Sequence, residues 1–406
     1  MHKKEESTRK MMTRCDIVLM IPGRRDVDEK DGKNHTLPVR DFGVSRTILD
    51  AIRKNVEIEM SADAQETIER YDLGSVDLIF EHDPDMPRQD DILWEKKNAC
   101  CMLAVHKSTK LCVLEIYIPE SDDGVQMLEC YGNDAVLIRT EGRDDHIPLE
   151  ELLQELEIRV TGLKRSAVFA FGEPSDMECV HCIANELTPH DGDVEGVLME
   201  KVRSQNRSQY SGSRTYASAT TLLEVSADPE MPPMEERINY QTSEIYFVEQ
   251  ILLRDASATD IARRLADLSS RFRNMKAREI KAELTRIDAA LGQSTVLYDV
   301  SLFKWATVHE EISLLSEDLG VPVILERNRN SKAILESLQR AVEAQEKERS
   351  DDLKNGFLLA ITGMTLIDTL FNAITNFSSK NTIYYASLGI VIAAFAVYMV
   401  IKKKKF

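Results

Sequence analysis

The sequence predicts an α/β or α+β domain, then long helices ending in a stalk, then a two-helix transmembrane hairpin. Three observations predict it. Short apolar runs bounded by turn residues interleave with helix-like segments in the N-terminal half. Beyond Ile238, apolar residues recur at steps of three and four. Two apolar spans, residues 356–376 and 383–401, then close the chain.

Residues 1–14 are charged and read as a disordered tail without a signal-peptide core. Residues 15–202 form the expected sensor domain. In it, residues 15–21 are a strand that Pro22-Gly23 turns, and 99–106 and 111–119 are a hairpin joined by Lys107-Ser108-Thr109-Lys110. Residues 135–139 and 167–171 are further strands, while 147–158 and 175–187 are helices with acidic first turns. Residues 203–236, rich in Ser, Arg, Asn and Gln and closed by Pro232-Pro233, read as a linker. Residues 237–322 form a helical domain, with faces at Ile261, Leu265, Leu268 and Phe272, at Leu284, Ile287 and Leu291, and at Trp305, Val308, Ile312 and Leu315. From Val323 no proline intervenes and Gly356 is the first glycine, so 323–355 reads as a stalk helix continuous with the first span.

Each span is long enough to cross ~30 Å of hydrocarbon at 1.5 Å per residue. In the first, Thr362, Thr365, Thr369, Asn372 and Asn376 follow one another at three, four, three and four, a single helical stripe with Asp368 beside it. A carboxylate at membrane depth must face protein or water. Two readings follow: these six residues line a pore inside a ring of identical chains, or the stripe joins helices by hydrogen bonds. Ala386, Gly389, Ala393 and Ala396 give the second span a close-packing face. Lys402 to Lys405, in the 402–406 tail, place the C-terminus, and after two crossings the N-terminus, on the cytosolic side of an inner membrane.

Net charge is −18, which excludes nucleic acid as a partner of the domain as a whole. Seven cysteines in a reducing compartment imply thiols, with Cys100, Cys101 and Cys112 as core fillers. No phosphate-cradling Gly-Lys-Ser/Thr loop, His-Glu-x-x-His or glycine-flanked serine nucleophile is present, so an enzyme is not expected.

A cytosolic α/β domain, a stalk running into the first of two C-terminal spans, and a closing lysine cluster with Phe406 together resemble the CorA superfamily of metal-ion transporters. Where that family carries Gly-Met-Asn followed by an aromatic residue, this chain has Ile374-Thr375-Asn376-Phe377, matching in Asn376 and Phe377. Gly363-Met364-Thr365 lies too early to be that motif, and Ser378-Ser379-Lys380-Asn381 replaces the acidic outer loop. In the family the motif holds hydrated Mg²⁺, so these departures point away from Mg²⁺ uptake. The layout is also similar to divergent members that accompany some CRISPR systems, which implies a homopentamer gated by a nucleotide-derived messenger. The resulting expectation is a ligand-gated, cation-passing channel in antiviral defence. The alternatives are a divalent-metal transporter and a membrane-anchored sensor or scaffold without a pore.

A phosphate-bearing ligand needs arginine or lysine at strand ends or helix starts. Arg24-Arg25 follow the first strand, and Lys164-Arg165 precede another. Arg203, Arg207 and Arg214 lie in the linker. Glu81, Asp83 and Asp85, spaced by two, are candidates for a divalent cation or a solvated acidic turn. Cys179-Val180-His181-Cys182 has zinc-like spacing without a second pair, or else supplies buried helix thiols.

Overall fold

The computed structural model describes residues 14–25, 47–54, 67–81, 94–171, 207–226, 231–298, 304–318 and 321–374, apart from some positions within these ranges. Its strands are β1 (Cys15–Arg25), β2 (Ile68–Phe80), β3 (Trp94–His106), β4 (Leu111–Ser121), β5 (Val136–Thr140), β6 (Ile147–Pro148), β7 (Ile158–Val160), β8 (Arg165–Phe171), β9 (Ser213–Ala217) and β10 (Thr221–Ser226). Its helices include α1 (Gly124–Gly132), α2 (Leu149–Glu155), α3 (Met234–Arg271), α4 (Ala277–Tyr298), α5 (Ala306–Asp318) and α6 (Val321–Ile374). The chain divides into one unit of Met1–Ser270 with Thr285–Lys332 and another of Arg271–Leu284 with Ala333–Phe406.

The first unit is built on a ten-stranded sheet in the order β6-β5-β2-β3-β4-β1-β8-β10-β9, with β7 beside β1. β8 and β10 run parallel. The neighbours of β1, β3 and β5 run antiparallel to them, so the sheet is mixed. β1 and β4 read as nearly continuous apolar runs because both faces are covered. Ile17, Leu19, Ile21, Leu114 and Ile116 share one core with Met127, Leu128 and Leu152 from α1 and α2. Val18, Met20, Val113 and Tyr117 share the other with Ile245, Tyr246 and Leu252 from α3. Each such side chain, fully buried, stabilises by about 1.5–3 kcal/mol.

Pro22-Gly23 does not turn the chain. β1 runs through it, pairing Pro22 with Val113 and Gly23 with Val160. A Cβ on Gly23 would lie 2.6 Å from Ile158 Cγ2, so glycine is what lets β7 approach. The helix expected over 147–158 contracts to α2, and 175–187 lies outside the described residues. The segment read as a linker holds β9, β10 and the start of α3. Its polar composition misled because β9 is an edge strand, where polar residues belong, while Tyr216, Leu222, Leu223 and Val225 are buried.

α3 starts where the Pro233 carbonyl accepts the Glu236 and Arg237 N–H groups, with Glu235 and Glu236 suited to its positive end. Residues 244–258 are buried on every side, so their polar groups must be paired. Arg237 donates to Asp16 at 2.7 Å, Arg70 of β2 meets Glu249 at 2.6 Å, and Arg165 of β8 meets Asp255 at 3.0 Å. Asp16 also accepts from Gln241 at 2.7 Å and from the Glu120 N–H at 2.9 Å. Gln241 in turn accepts from the Tyr117 hydroxyl. The strand period of two explains the geometry: Asp16, Val18, Met20 and Arg24 stand on the face that α3 covers.

Among the described residues, no helix is long and apolar enough to cross a membrane. The expected transmembrane hairpin, and with it the placement in an inner membrane with both termini cytosolic, is corrected accordingly. α6 has 54 residues, about 80 Å at 1.5 Å per residue, but it is charged throughout its course to Lys354. Its apolar stretch then opens at Gly356 and is diluted by Thr362, Thr365 and Asp368. The second span, 383–401, lies outside the described residues.

In the second unit, Ala277, Ile280 and Leu284 are buried at helical spacing, whereas Phe357, Leu358 and Leu359 are exposed.

Breaking the deepest ion pair tests how α3 is seated. Asp16→Ala takes from the Arg237 guanidinium its buried partner, leaving it the exposed Glu120 carboxylate and the Pro232 carbonyl, and should lower unfolding stability by about 3 kcal/mol. An Asp16→Leu/Arg237→Met pair should recover most of that, both read from urea midpoints.

Candidate functional site

The register of β1 creates an electrostatic problem at its end. Arg24 pairs directly with Arg159 of β7, and like charges facing each other across strands repel. α3 answers with Asp260. Its Oδ2 accepts from Arg24 at 2.9 Å and from Arg264 at 2.9 Å, and its Oδ1 from Arg263 at 2.7 Å and Arg159 at 3.4 Å. Arg263 and Arg264 come from the same helix at the i+3 and i+4 positions. Four guanidinium groups thus converge on one carboxylate that is itself 3% exposed.

Beside them opens a cleft of about 150 Å³. Arg24 and the β3–β4 hairpin (Thr109, Leu111) form one wall, and Ser257 and Arg264 of α3 the next. Arg286 and Gln293 of α4 complete it, and all of these residues belong to the first unit. Thr109 is held in place by the His106 ring, whose Nδ1 lies 2.7 Å from its hydroxyl. Burial pushes His106 down to about 4, so it stays neutral near pH 7.

Burial acts to raise the pKa of Asp260, but the hydrogen bond from Arg263 and the charges of Arg264 and Arg24 outweigh it and hold the carboxyl below its ordinary value. Asp260 therefore stays ionised and works as an organiser of donors rather than as a base. The cluster offers an oxyanion several planar, fork-shaped donors, the geometry that suits phosphate and carboxylate.

Of the expected ligand residues, Arg24 lines this cleft. Arg25 ends β1, half-buried, with its N–H on the Lys110 carbonyl. Lys164 and Arg165 go elsewhere: Lys164 is engaged by Asp134 and by Glu150 at 3.0 Å, and Arg165 is buried against Asp255. Arg214 is in β9 and Arg207 donates its N–H to Thr215. Glu81 follows β2 and is exposed, with its N–H on the Ala135 carbonyl, while Asp83 and Asp85 lie outside the described residues, as do residues 179–182. Among the described residues no group of three His, Cys, Asp or Glu side chains is placed to hold a metal ion. Cys15, Cys100, Cys101, Cys112 and Cys130 are buried thiols outside any disulfide.

Of the expected pore stripe, Thr362 and Thr365 are exposed and donate to carbonyls of their own helix, Leu358 at 2.8 Å and Ile361 at 2.7 Å. Asp368, Thr369 and Asn372 fall within α6, and Asn376 lies outside the described residues.

Sequence reading missed Arg159, Asp260, Arg263, Arg264 and Arg286. The Asp-x-x-Arg-Arg run at 260–264 was a visible i, i+3, i+4 signal, but the two strand arginines join it only through the fold.

Comparison with protein families, with curated proteins and with solved structures finds no match to this chain.

Removing the central charge should be costly. Asp260→Asn leaves four guanidinium groups around a neutral amide and should lower stability by about 3 kcal/mol at pH 7. Because the Asp260 pKa is depressed, its contribution is complete above pH 3.8 and is lost as pH falls through the lower native value. The gap between wild type and Asp260→Asn should therefore narrow from pH 7 to pH 3 in urea titrations.

Proposed function

We propose that this chain is a ligand-responsive regulatory protein whose cleft between β1, α3 and α4 binds a small oxyanion, with a phosphoryl-bearing molecule as the best fit. The observation that carries the reading is the convergence of Arg24, Arg159, Arg263 and Arg264 on Asp260 at the wall of an open cleft. Arg286 adds a donor from the opposite side. Asp260 orients these guanidinium groups, and of them Arg24 and Arg264 present fork-shaped donors at the cleft wall, the geometry that suits an anion. At about 150 Å³ the cleft suits a phosphoryl group with a short body and is smaller than the usual pocket for a drug-sized molecule. For a nucleotide-derived messenger, the phosphate rather than the base would be the part enclosed.

The role is binding rather than catalysis. The acidic group at the centre is ionised and saturated with donors, so it has no lone pair placed to take a proton from a substrate. Ion conduction required the two spans of the hairpin and forms no part of this reading. A ligand seated on Arg24 and Arg264 would instead bridge the strand end to α3, and its effect would be to change how α3 and α4 are held.

Calorimetric titration with inorganic phosphate, pyrophosphate and nucleoside phosphates tests this. Saturable binding is expected, weakened about 10–100-fold by Arg264→Ala or Arg286→Ala, as charge-assisted hydrogen bonds are each worth about 1.5–3 kcal/mol. The absence of saturable binding to any phosphate-bearing probe, or wild-type affinity in both variants, would overturn it.

A further inference from the structure

A second charged cluster lies in the joint between the sheet and α3, away from the cleft, and does not depend on the ligand reading. Across the sheet, pairing aligns Asp72 of β2, Met102 of β3, Glu115 of β4 and Met20 of β1 in one row. Glu115 is 1% exposed and Glu249, reaching down from α3, is 0% exposed. Arg70 meets Glu249 Oε1 at 2.6 Å, and the Gln250 amide donates to the same oxygen at 3.3 Å. The Arg70 guanidinium also stacks 5.4 Å from the Tyr246 ring centroid.

Two carboxyls thus stand beside one guanidinium, closed off from bulk solvent. Glu115 from β4 and Glu249 from α3 belong to one buried cluster around Arg70. Each also has an oxygen, Glu115 Oε1 and Glu249 Oε2, with no hydrogen-bond partner among the described residues. A carboxylate only accepts, so two ionised groups here would repel and leave both oxygens stranded. One proton resolves both difficulties by turning an acceptor into a donor.

We propose that Glu115 and Glu249 share a single proton, and that this proton, held between β4 and α3, makes the seating of α3 on the sheet depend on pH. The charged and titratable groups around the pair are Arg70 and Asp72 on β2, Cys101 on β3, and Tyr246 and Arg254 on α3. On the next strands of the same row, Met20 is apolar and Arg165 is occupied by Asp255. Burial, and then the charge of Glu249, push the Glu115 carboxyl well above its ordinary value, with Arg70 offsetting part of the rise.

The direction of the effect follows from that rise. An acid that binds its proton more tightly when folded stabilises most at low pH. Its contribution falls as pH climbs from the unfolded value of 4.5 toward the native one. Glutamine at the same place imitates the protonated acid at every pH.

The experiment is urea unfolding of the full chain from pH 5 to pH 9, for wild type, Glu115→Gln and Glu249→Gln, with infrared spectra of the folded wild type. The folded-to-unfolded ratio of wild type, relative to Glu115→Gln, should fall about tenfold per pH unit from pH 5 until the native pKa is reached. The infrared spectrum at pH 7 should carry the carbonyl stretch of a buried neutral carboxyl, absent from Glu115→Gln. Parallel pH curves for wild type and Glu115→Gln, or no neutral-carboxyl band at pH 7, would overturn the proposal. Should Glu115→Gln fail to fold, the Glu249→Gln curve and the wild-type band decide by the same criteria.

Discussion

A charge removed from water must meet its opposite, and α3 carries several that are removed from water. This requirement governs the first unit. Apolar packing brings a helix and a sheet together without choosing among many orientations, since dispersion and burial are nearly indifferent to sliding. The guanidinium–carboxylate contacts are not indifferent. Arg237 with Asp16, Arg70 with Glu249, and Arg165 with Asp255 each fail if the helix shifts by a residue. We regard them as setting orientation more than adding net stability, because desolvation cancels much of the attraction in such pairs.

The same logic links the scaffold to the candidate site. Asp260 is a further contact of this kind, placed where the helix emerges toward solvent and where two strand arginines face each other. Inside the protein, the pairs are close to charge balance. At the rim, four arginines gather on one acid, and a cleft stands open beside them. On the proposed reading, a scaffold device thereby serves recognition at its exposed end.

How much of this was legible in the sequence differs from element to element. The β3–β4 hairpin and the strands at β5 and β8 were visible because their apolar runs are bounded by turn residues. α6 was visible because nothing in its sequence stops a helix. Its apolar end was misread as a membrane span because length and hydropathy weigh a run without weighing its interruptions. β9 was hidden by polar edge composition and β10 by the polar stretch around it, and Pro22-Gly23 looked like a turn because a glycine needed for close approach of β7 is indistinguishable from one needed for bending. In the candidate site, Arg24 was identified and Asp260 was not. Residues 244–258 are enclosed on all sides, so no amphipathic stripe marked which polar residues of α3 face the sheet. Partners such as Asp16 and Arg237, 221 positions apart, carry no local signal at all.

β1 touches α3 near both of its own ends, through Asp16 and through Arg24. Eight strand residues cover about 26 Å. The 23 helical residues between Arg237 and Asp260 cover about 35 Å. Two rulers of different pitch are therefore fastened at two marks, each through a long arginine side chain. Removing one residue from the intervening helix would swing everything beyond it through 100° and draw it back 1.5 Å. The far mark would then miss. The number of residues in this stretch of α3 is accordingly as constrained as their chemistry, and substitutions there should be better tolerated than any change of length.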